Sequence, residues 1–479
     1  MKFNIKIGIF DEKKSESLVF FVWETEWPKE LLDLDKKLGG ILKKESDRKE
    51  FKFAVGKILK VQNVFLVGLG KISELTTFDL QLTCAKLYQK IKEEKLLSVV
   101  LDCSNFGLEN IEAFVTGFLL GTYDFKKYKT DKKDDIKPLE ITILVKDAKE
   151  LVKVREYITR AEIYCEATIF TRNLVNEPSS VTTPTYLADM AEKLAKKDKF
   201  SSKIYDESEF GKLGLGALAG VARGSDESAK FIRLDYRNGK KKIVLAGKGI
   251  TFDSGGLSLK PQEGMETMKM DMAGAASVLA IFSVIDKLRP KIHLIGLIPV
   301  TENMPSGKAI KPGDIVKAYN GKTIEVINTD AEGRLILADA LSYGVEIKPD
   351  LIIDLATLTG ACIVALGEEI AGLFSKDNNL IEKIKVAADT AGEKIWPMPL
   401  EKTYKELIKS SVADLKNVSG KRYGGAITAA LFLEEFVGNI PWAHIDIAGP
   451  AWEEKGNDLI PRGGTGFGVR TILNFLQNL

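Results

Sequence analysis

Residues 243–256 run Ile-Val-Leu-Ala-Gly-Lys-Gly-Ile-Thr-Phe-Asp-Ser-Gly-Gly. Four consecutive apolar residues, followed at once by glycines and two charged side chains, read as a buried strand feeding a tight turn. A strand that is apolar on both faces belongs in a sheet covered on both sides, the usual state of a parallel sheet. The glycines strip side-chain bulk from the turn, so Lys248 and Asp253 can approach a ligand closely. In open sheets of this type, ligands bind beyond the carboxyl ends of the strands, and this turn stands at such an end.

Outward from that stretch the alternation continues. Strands are expected at 231–236, 292–297, 323–327, 351–355 and 443–447, and helices at 273–288, 334–345, 380–391 and 426–436. The pattern predicts an α/β fold whose larger, catalytic domain (181–479) has a mixed, largely parallel central sheet flanked by helices. Toward the N-terminus, a helix follows Pro184, and another from Leu151 ends at the breaker Asn176-Glu177-Pro178-Ser179-Ser180. We read 151–180 as a linker helix. Residues 1–150 read as a small α/β domain, with strands at 18–22, 64–67 and 141–145, helices at 80–91 and 111–120, and an exposed charged loop at 126–137. A length of 479 residues suits two domains.

Composition narrows the chemistry by exclusion. A net charge of +2 gives no reason to invoke nucleic acid or membrane as main partner, and Lys126, Lys127 and Lys129 read as a solvated run. The four cysteines, Cys84, Cys103, Cys165 and Cys362, are scattered and suit reduced structural thiols. The first 14 residues lack the apolar centre of a signal peptide, and no run of about 18 apolar residues is present, so a cytoplasmic protein is expected. With only two histidines, His293 and His444, the chain has no parts for HExxH or Cys/His zinc sites. Both histidines lie inside apolar strands and read as core residues, as does Asp446. Any metal chemistry must rest largely on carboxylates.

Those carboxylates gather at strand ends. Asp253 closes the opening stretch, Asp271 stands just before the helix at 273–288, and Asp330 and Glu332 follow the strand at 323–327 within Asn-Thr-Asp-Ala-Glu-Gly-Arg-Leu (328–335). Two apart in extended backbone, Asp330 and Glu332 point to one side. Taken alone they also suit a helix start, with Asp330 as N-cap. Four carboxylates at one sheet edge repel unless positive charge lies between them, and two divalent ions supply it. Lys248 alone would equally suit a surface or phosphate-binding lysine. Gly214–Ala219 nominally fits a dinucleotide glycine pattern but follows no clear strand, and Gly68-Leu69-Gly70 reads as a turn.

The octapeptide at 328–335 is the signature of the leucyl aminopeptidase family of two-metal peptidases. The segments 248–256, 260–261, 268–276 and 355–361 also resemble that family in order, as does 172–178; the likeness runs from about 172 to 470 and leaves the N-terminal third unrecognised. The resemblance implies an enzyme that removes the N-terminal residue, leucine and other mainly apolar residues, from peptides by a metal-activated bridging water. One ion would be held by Asp253, Asp330 (with its carbonyl) and Glu332, and the other by Lys248, Asp253, Asp271 and Glu332. A ligating Lys248 must be neutral, so the metal must depress its pKa. Lys260 would stabilise the oxyanion. Arg334, with the amides of Gly333 and Leu335 at a helix start, makes an anion site, which the resemblance assigns to bicarbonate as proton acceptor. Met268, Thr357, Leu358, Gly360 and Ala448 would line the side-chain pocket. The resemblance further implies a homohexamer; Mn²⁺, Zn²⁺ and Mg²⁺ all suit such ligands. The alternative from another class is a DNA-binding or regulatory protein that retains the peptidase fold.

Overall fold

The computed structural model describes residues 1–8, 17–24, 27–49, 51–102, 107–130 and 138–479. Cys103 and positions 131–137 of the charged loop lie outside the described residues. The chain divides into two compact units, and the division falls inside the helix Ala148–Asn176. One unit is Met1–Cys165 with the short returns Asp389–Gly392 and Lys455–Pro461; the other is Glu166–Ala388, Glu393–Glu454 and Arg462–Leu479.

The first unit is built on β1 (Lys2–Ile7), β2 (Leu18–Trp23), β3 (Ile58–Val61), β4 (Val64–Gly70), β5 (Ser98–Asp102) and β6 (Glu140–Val145), in the order β1-β6-β5-β2-β4-β3. All pairs are parallel except β3–β4. Val19 and Phe21 on one face of β2 pack with Phe65, Phe114 and Phe118, burying the apolar stripe of the helix Ile111–Leu120. The helix Thr77–Glu93 starts at a capping box in which Thr76 and Asp79 bond reciprocally. Gly68-Leu69-Gly70 lies in β4 rather than in a turn. A Cβ on Gly68 would come within 2.5 Å of the Ala54 carbonyl, so that glycine serves a close backbone approach.

The larger unit contains β7 (Ser201–Asp206), β8 (Lys230–Arg237), β9 (Lys242–Gly247), β10 (Gly249–Asp253), β11 (His293–Asn303), β12 (Ile315–Lys317), β13 (Thr323–Glu325), β14 (Leu351–Ala356), β15 (Ile370–Phe374), β16 (Lys394–Pro397), β17 (Leu415–Lys416) and β18 (Trp442–Asp446). Nine of them form one sheet in the order β16-β15-β18-β14-β9-β11-β8-β7, with β10 continuing alongside β11. The centre is parallel, whereas β7–β8, β8–β11 and β15–β18 are antiparallel, so the sheet is mixed. The expected glycine-rich turn after β9 is in fact a one-residue break at Lys248. The chain then resumes as β10 against the extended end of β11, Gly249 pairing Val300 where β9 had stopped at Ala246–Leu297.

The helix Ala273–Leu288 and the turns before it are long and apolar enough to cross a membrane by composition, but 83% of that window is buried inside the protein. The segment is apolar all round because other elements enclose it. Gly214 ends a helix in the left-handed conformation and Gly216 begins the next; a Cβ there would meet the Lys317 carbonyl at 2.3 Å. Close packing against β12 accounts for that glycine run.

Candidate metal centre

The main-chain break at Lys248 turns its side chain inward. Its amide donates to the Leu355 carbonyl of β14 at 3.1 Å, and its carbonyl accepts from Ala275 at 2.8 Å. The helix Ala273–Leu288 can come this close because Gly274 stands where a Cβ would meet the Leu355 carbonyl at 2.2 Å, and Gly247 where one would meet the Gly274 carbonyl at 2.5 Å. Two glycines therefore bring Asp271, two residues before that helix, beside Lys248. Gly333 has the same logic at the next corner: a Cβ there would lie 2.2 Å from Lys248 Cε.

The sequence-predicted residues Lys248, Asp253, Lys260, Asp271, Asp330 and Glu332 come together. Lys248 Nζ donates to Asp271 Oδ1 at 2.7 Å and to the Thr357 carbonyl at 2.8 Å, and lies 3.0 Å from Glu332 Oε1. Lys260 Nζ lies 2.9 Å from Asp253 Oδ2 and 2.5 Å from Asp330 Oδ1. Oxygens of Asp253, Asp330 and Glu332 all fall within 4.8 Å of one another. The helix Gly333–Glu346 has Glu332 as its N-cap, with no side-chain cap bond. Asp330 is thus not the helix cap that its position also allowed.

Electrostatics set this cluster apart. Four carboxylates face two ammonium groups. Burial and then repulsion from Asp253 push the Glu332 carboxyl up to about 8. Burial and Asp253 push Asp271 up to about 6 against the pull of Lys248. Asp330 is raised by burial and by Asp253. Burial acts to deprotonate Lys248 and Lys260, yet the carboxylates around them win and hold both well above the usual lysine range. Among protein groups alone, Lys248 is therefore a charged donor; to ligate a metal it must give up a proton. Asp271 Oδ2 is buried without any hydrogen-bond partner among the described residues. A converging oxygen set short of positive charge, with an orphaned carboxylate oxygen, fits divalent cations.

Arg334 is 7% exposed, and burial lowers its guanidinium to about 10. One terminal nitrogen donates to the Asn417 carbonyl at 2.6 Å, while Nε has no partner among the described residues. The Leu335 amide, expected as an anion donor, already donates to the Glu332 carbonyl at 2.9 Å in the tight first turn. Thr357 does more than line a pocket: its hydroxyl donates to Asp271 Oδ1 at 2.6 Å while its carbonyl receives Lys248. Leu358 and Ala448 both donate main-chain N–H to Asp446 Oδ1, at 3.0 and 3.1 Å, so Asp446 ties together two of the segments expected to line a pocket. A Cβ on Gly360 would meet nothing within 4 Å, which leaves that wall open; Met268 is half-buried. His444 is wholly buried on Asp354, and His293 bonds Asp235 at 3.0 Å.

Three residues escaped the sequence reading. Thr329 Oγ1 donates to the Gly255 carbonyl at 2.6 Å and accepts from Ser258 at 2.8 Å, lacing two loops together. Asn417 accepts from Ile327 and donates to the Asn328 carbonyl, clamping the loop that carries Asp330. Asn303 ends β11 among the carboxylates. A buried amide carries no spacing signature; position at a strand end was the one available sign.

Comparisons with known proteins give the family. Residues 169–473 match the model for the cytosol aminopeptidase family, catalytic domain, and 19–132 match that family's N-terminal domain. A probable cytosol aminopeptidase of Persephonella marina is 45% identical over 99% of both chains. One from Aquifex aeolicus is 44% identical over 97% of this chain and 96% of its own. Among solved structures, a tomato leucine aminopeptidase mutant is 33% identical with a TM-score of 0.88, covering 100% of this chain and 97% of that one. The bottromycin maturation enzyme BotP in complex with Mn is 32% identical with a TM-score of 0.85, covering 97% and 99%. The N-terminal third, silent to motif reading, carries its own match, and neither matched domain supports the DNA-binding alternative.

Proposed function

The chain belongs to the cytosol aminopeptidase family, a family of metal-dependent peptidases, and from that premise we propose that it removes apolar N-terminal residues, leucine among them, at a two-ion centre held by Lys248, Asp253, Asp271, Asp330 and Glu332. The observation that carries this reading is the convergence of Asp253, Asp330 and Glu332 oxygens beside Lys248, Lys260 and Asp271. Divalent ions held there would polarise the scissile carbonyl and make a water nucleophilic near neutral pH.

The chain's own residues do the rest. Asp271 Oδ2, buried and without a partner among the described residues, receives the substrate's α-ammonium, a group that internal peptide bonds lack. Lys260, half-buried with a flexible stem, donates to the carbonyl oxygen as negative charge develops. Arg334 Nε, without a partner among the described residues, holds a small anion, and bicarbonate there would supply a proton acceptor. Met268, Thr357, Leu358, Gly360 and Ala448 shape an apolar pocket with one open wall. The relatives' names support a cytosolic location, and the family resemblance a homohexamer; Mn²⁺ is the ion named with BotP.

The test is hydrolysis of leucine p-nitroanilide after chelation and again with Mn²⁺ or Zn²⁺ restored. Metal-dependent release, blocked by acylating the substrate's amine and reduced about a thousandfold or more by Asp330→Ala, is expected. Equal activity in chelated and reloaded protein would overturn the reading.

A further inference from the structure

Asn303, the last residue of β11, is 2% exposed and stands inside the acidic cluster as its neutral member. Its side-chain Nδ2 lies 2.8 Å from Asp253 Oδ1, 3.0 Å from the Thr329 carbonyl and 3.5 Å from Glu332 Oε2. All three neighbours are acceptors, so the amide can face them only with its nitrogen. Its two hydrogens go to the two nearest. Asp253 Oδ1 also accepts from the Gly255 amide at 2.9 Å. With two donors fixed on Oδ1, Asp253 presents Oδ2 to the ion-binding side, where it meets Lys260 at 2.9 Å. The bond to the Thr329 carbonyl fixes the peptide immediately before Asp330. Asn303 is itself held, because Ser254 donates to its carbonyl from both N (3.1 Å) and Oγ (2.6 Å).

We propose that Asn303 is a positioning residue whose carboxamide sets Asp253 and, through the peptide that precedes it, Asp330 in the mutual geometry that binds the ions. The inference rests on the two-ion reading above. Neutrality matters as much as reach: a carboxylate at this place would add a fifth negative charge and turn an acceptor toward acceptors. A leucine of similar volume would fill the space and leave the Thr329 carbonyl without this donor.

The experiment measures Mn²⁺ binding to chelated and reloaded full-length protein by equilibrium dialysis, with the electron paramagnetic resonance spectrum of the bound ion, for wild type, Asn303→Leu and Asn303→Ser. Groups that orient metal ligands typically change affinity about 10–100-fold when removed. Asn303→Leu is expected to bind Mn²⁺ weaker by about that factor with an altered spectrum, and Asn303→Ser, which keeps one donor, falls between. Binding by Asn303→Leu less than about threefold weaker than wild type overturns the proposal, even where heat stability falls, because a packing role alone would give that result. Should Asn303→Leu not fold, Asn303→Ser decides by the same threshold. A wild-type chain that binds no Mn²⁺ would overturn the two-ion reading itself, an outcome separate from an unchanged variant.

Discussion

Two groups of largely buried carboxylates lie in the larger unit and differ in one respect. Asp354 on β14 spends both oxygens on protein donors, taking His444 Nδ1 at 2.6 Å and Trp442 Nε1 at 2.7 Å, with His444 stacked between Phe374 and Trp442. Asp339 likewise takes the amides of Leu218 and Tyr319, each at 2.8 Å. At the carboxyl ends of the strands, Asp271 keeps an orphaned oxygen and four carboxylates share two lysines. A buried charge that is fully bonded holds the fold together. One left short of partners is, on the two-ion reading proposed above, open to a ligand, and its cost is carried by the rest of the core.

The largest expected effect breaks the satisfied group. Removing one partner of a buried pair costs about 3–5 kcal/mol, since the other is left uncompensated. Asp354 opposes the tendency of burial to neutralise His444 and keeps that ring protonated more readily than usual. Asp354→Ala should therefore lower the urea midpoint strongly, while Mn²⁺ affinity and kcat per folded molecule stay within about twofold. A large kcat loss in protein that remains folded would blur the distinction between the two groups.

Lys260→Met tests the unsatisfied group and should act the other way round. Loss of one preorganised donor to an oxyanion typically lowers kcat about 10²–10³-fold. KM should move little, because the interaction strengthens only in the transition state. Without Lys260, Asp253 and Asp330 lose their shared counter-charge, so the chelated variant should melt below chelated wild type, and Mn²⁺ should close that gap. Melting temperatures with and without Mn²⁺, beside steady-state kinetics, read both effects. A variant equally destabilised in the presence of Mn²⁺ would make Lys260 a structural ion-pair partner.

The sequence and the structure meet unevenly across these two groups. The sheet was legible because β9, β11 and β14 are apolar on both faces, and a long apolar run can be little else in a chain of this composition. Asp253, Asp271, Asp330 and Glu332 were legible because like charges at successive strand ends demand an explanation. β10 was hidden by the glycines around it: they read as a turn, yet Gly247 serves close packing against the helix Ala273–Leu288 and Gly249 a close approach to the Pro299 carbonyl of β11. The Leu335 amide looked free because a helix start normally leaves its first amides open, and only the tight turn from Glu332 spends it. Asn303, Asn417 and Asp354 matter through partners far away in sequence, and no local pattern announces such partners.

The smallest expected effect is a pH dependence that separates the two groups. Asp339 is pushed up to about 7 by burial, and Asp271 and Glu332 to about 6 and 8 by burial and repulsion from Asp253. Free carboxyls titrate near about 4. The folded chain therefore holds protons that the unfolded chain releases, so these groups contribute stability that is present below about pH 4 and lost as pH rises toward 8. Metal at the proposed centre would displace the protons on Asp271 and Glu332 but not those on Asp339. The melting temperature of chelated protein should then fall between pH 5 and 8, and the gain from saturating Mn²⁺ should grow over the same range. Asp339→Asn should flatten the decline that remains with Mn²⁺ bound. Calorimetric titration of Mn²⁺ in buffers of different ionisation enthalpy should register proton release at pH 7. A Mn²⁺ gain independent of pH, with no proton release, would mean that the edge carboxylates are already ionised, and that their two lysines satisfy them as fully as His444 and Trp442 satisfy Asp354.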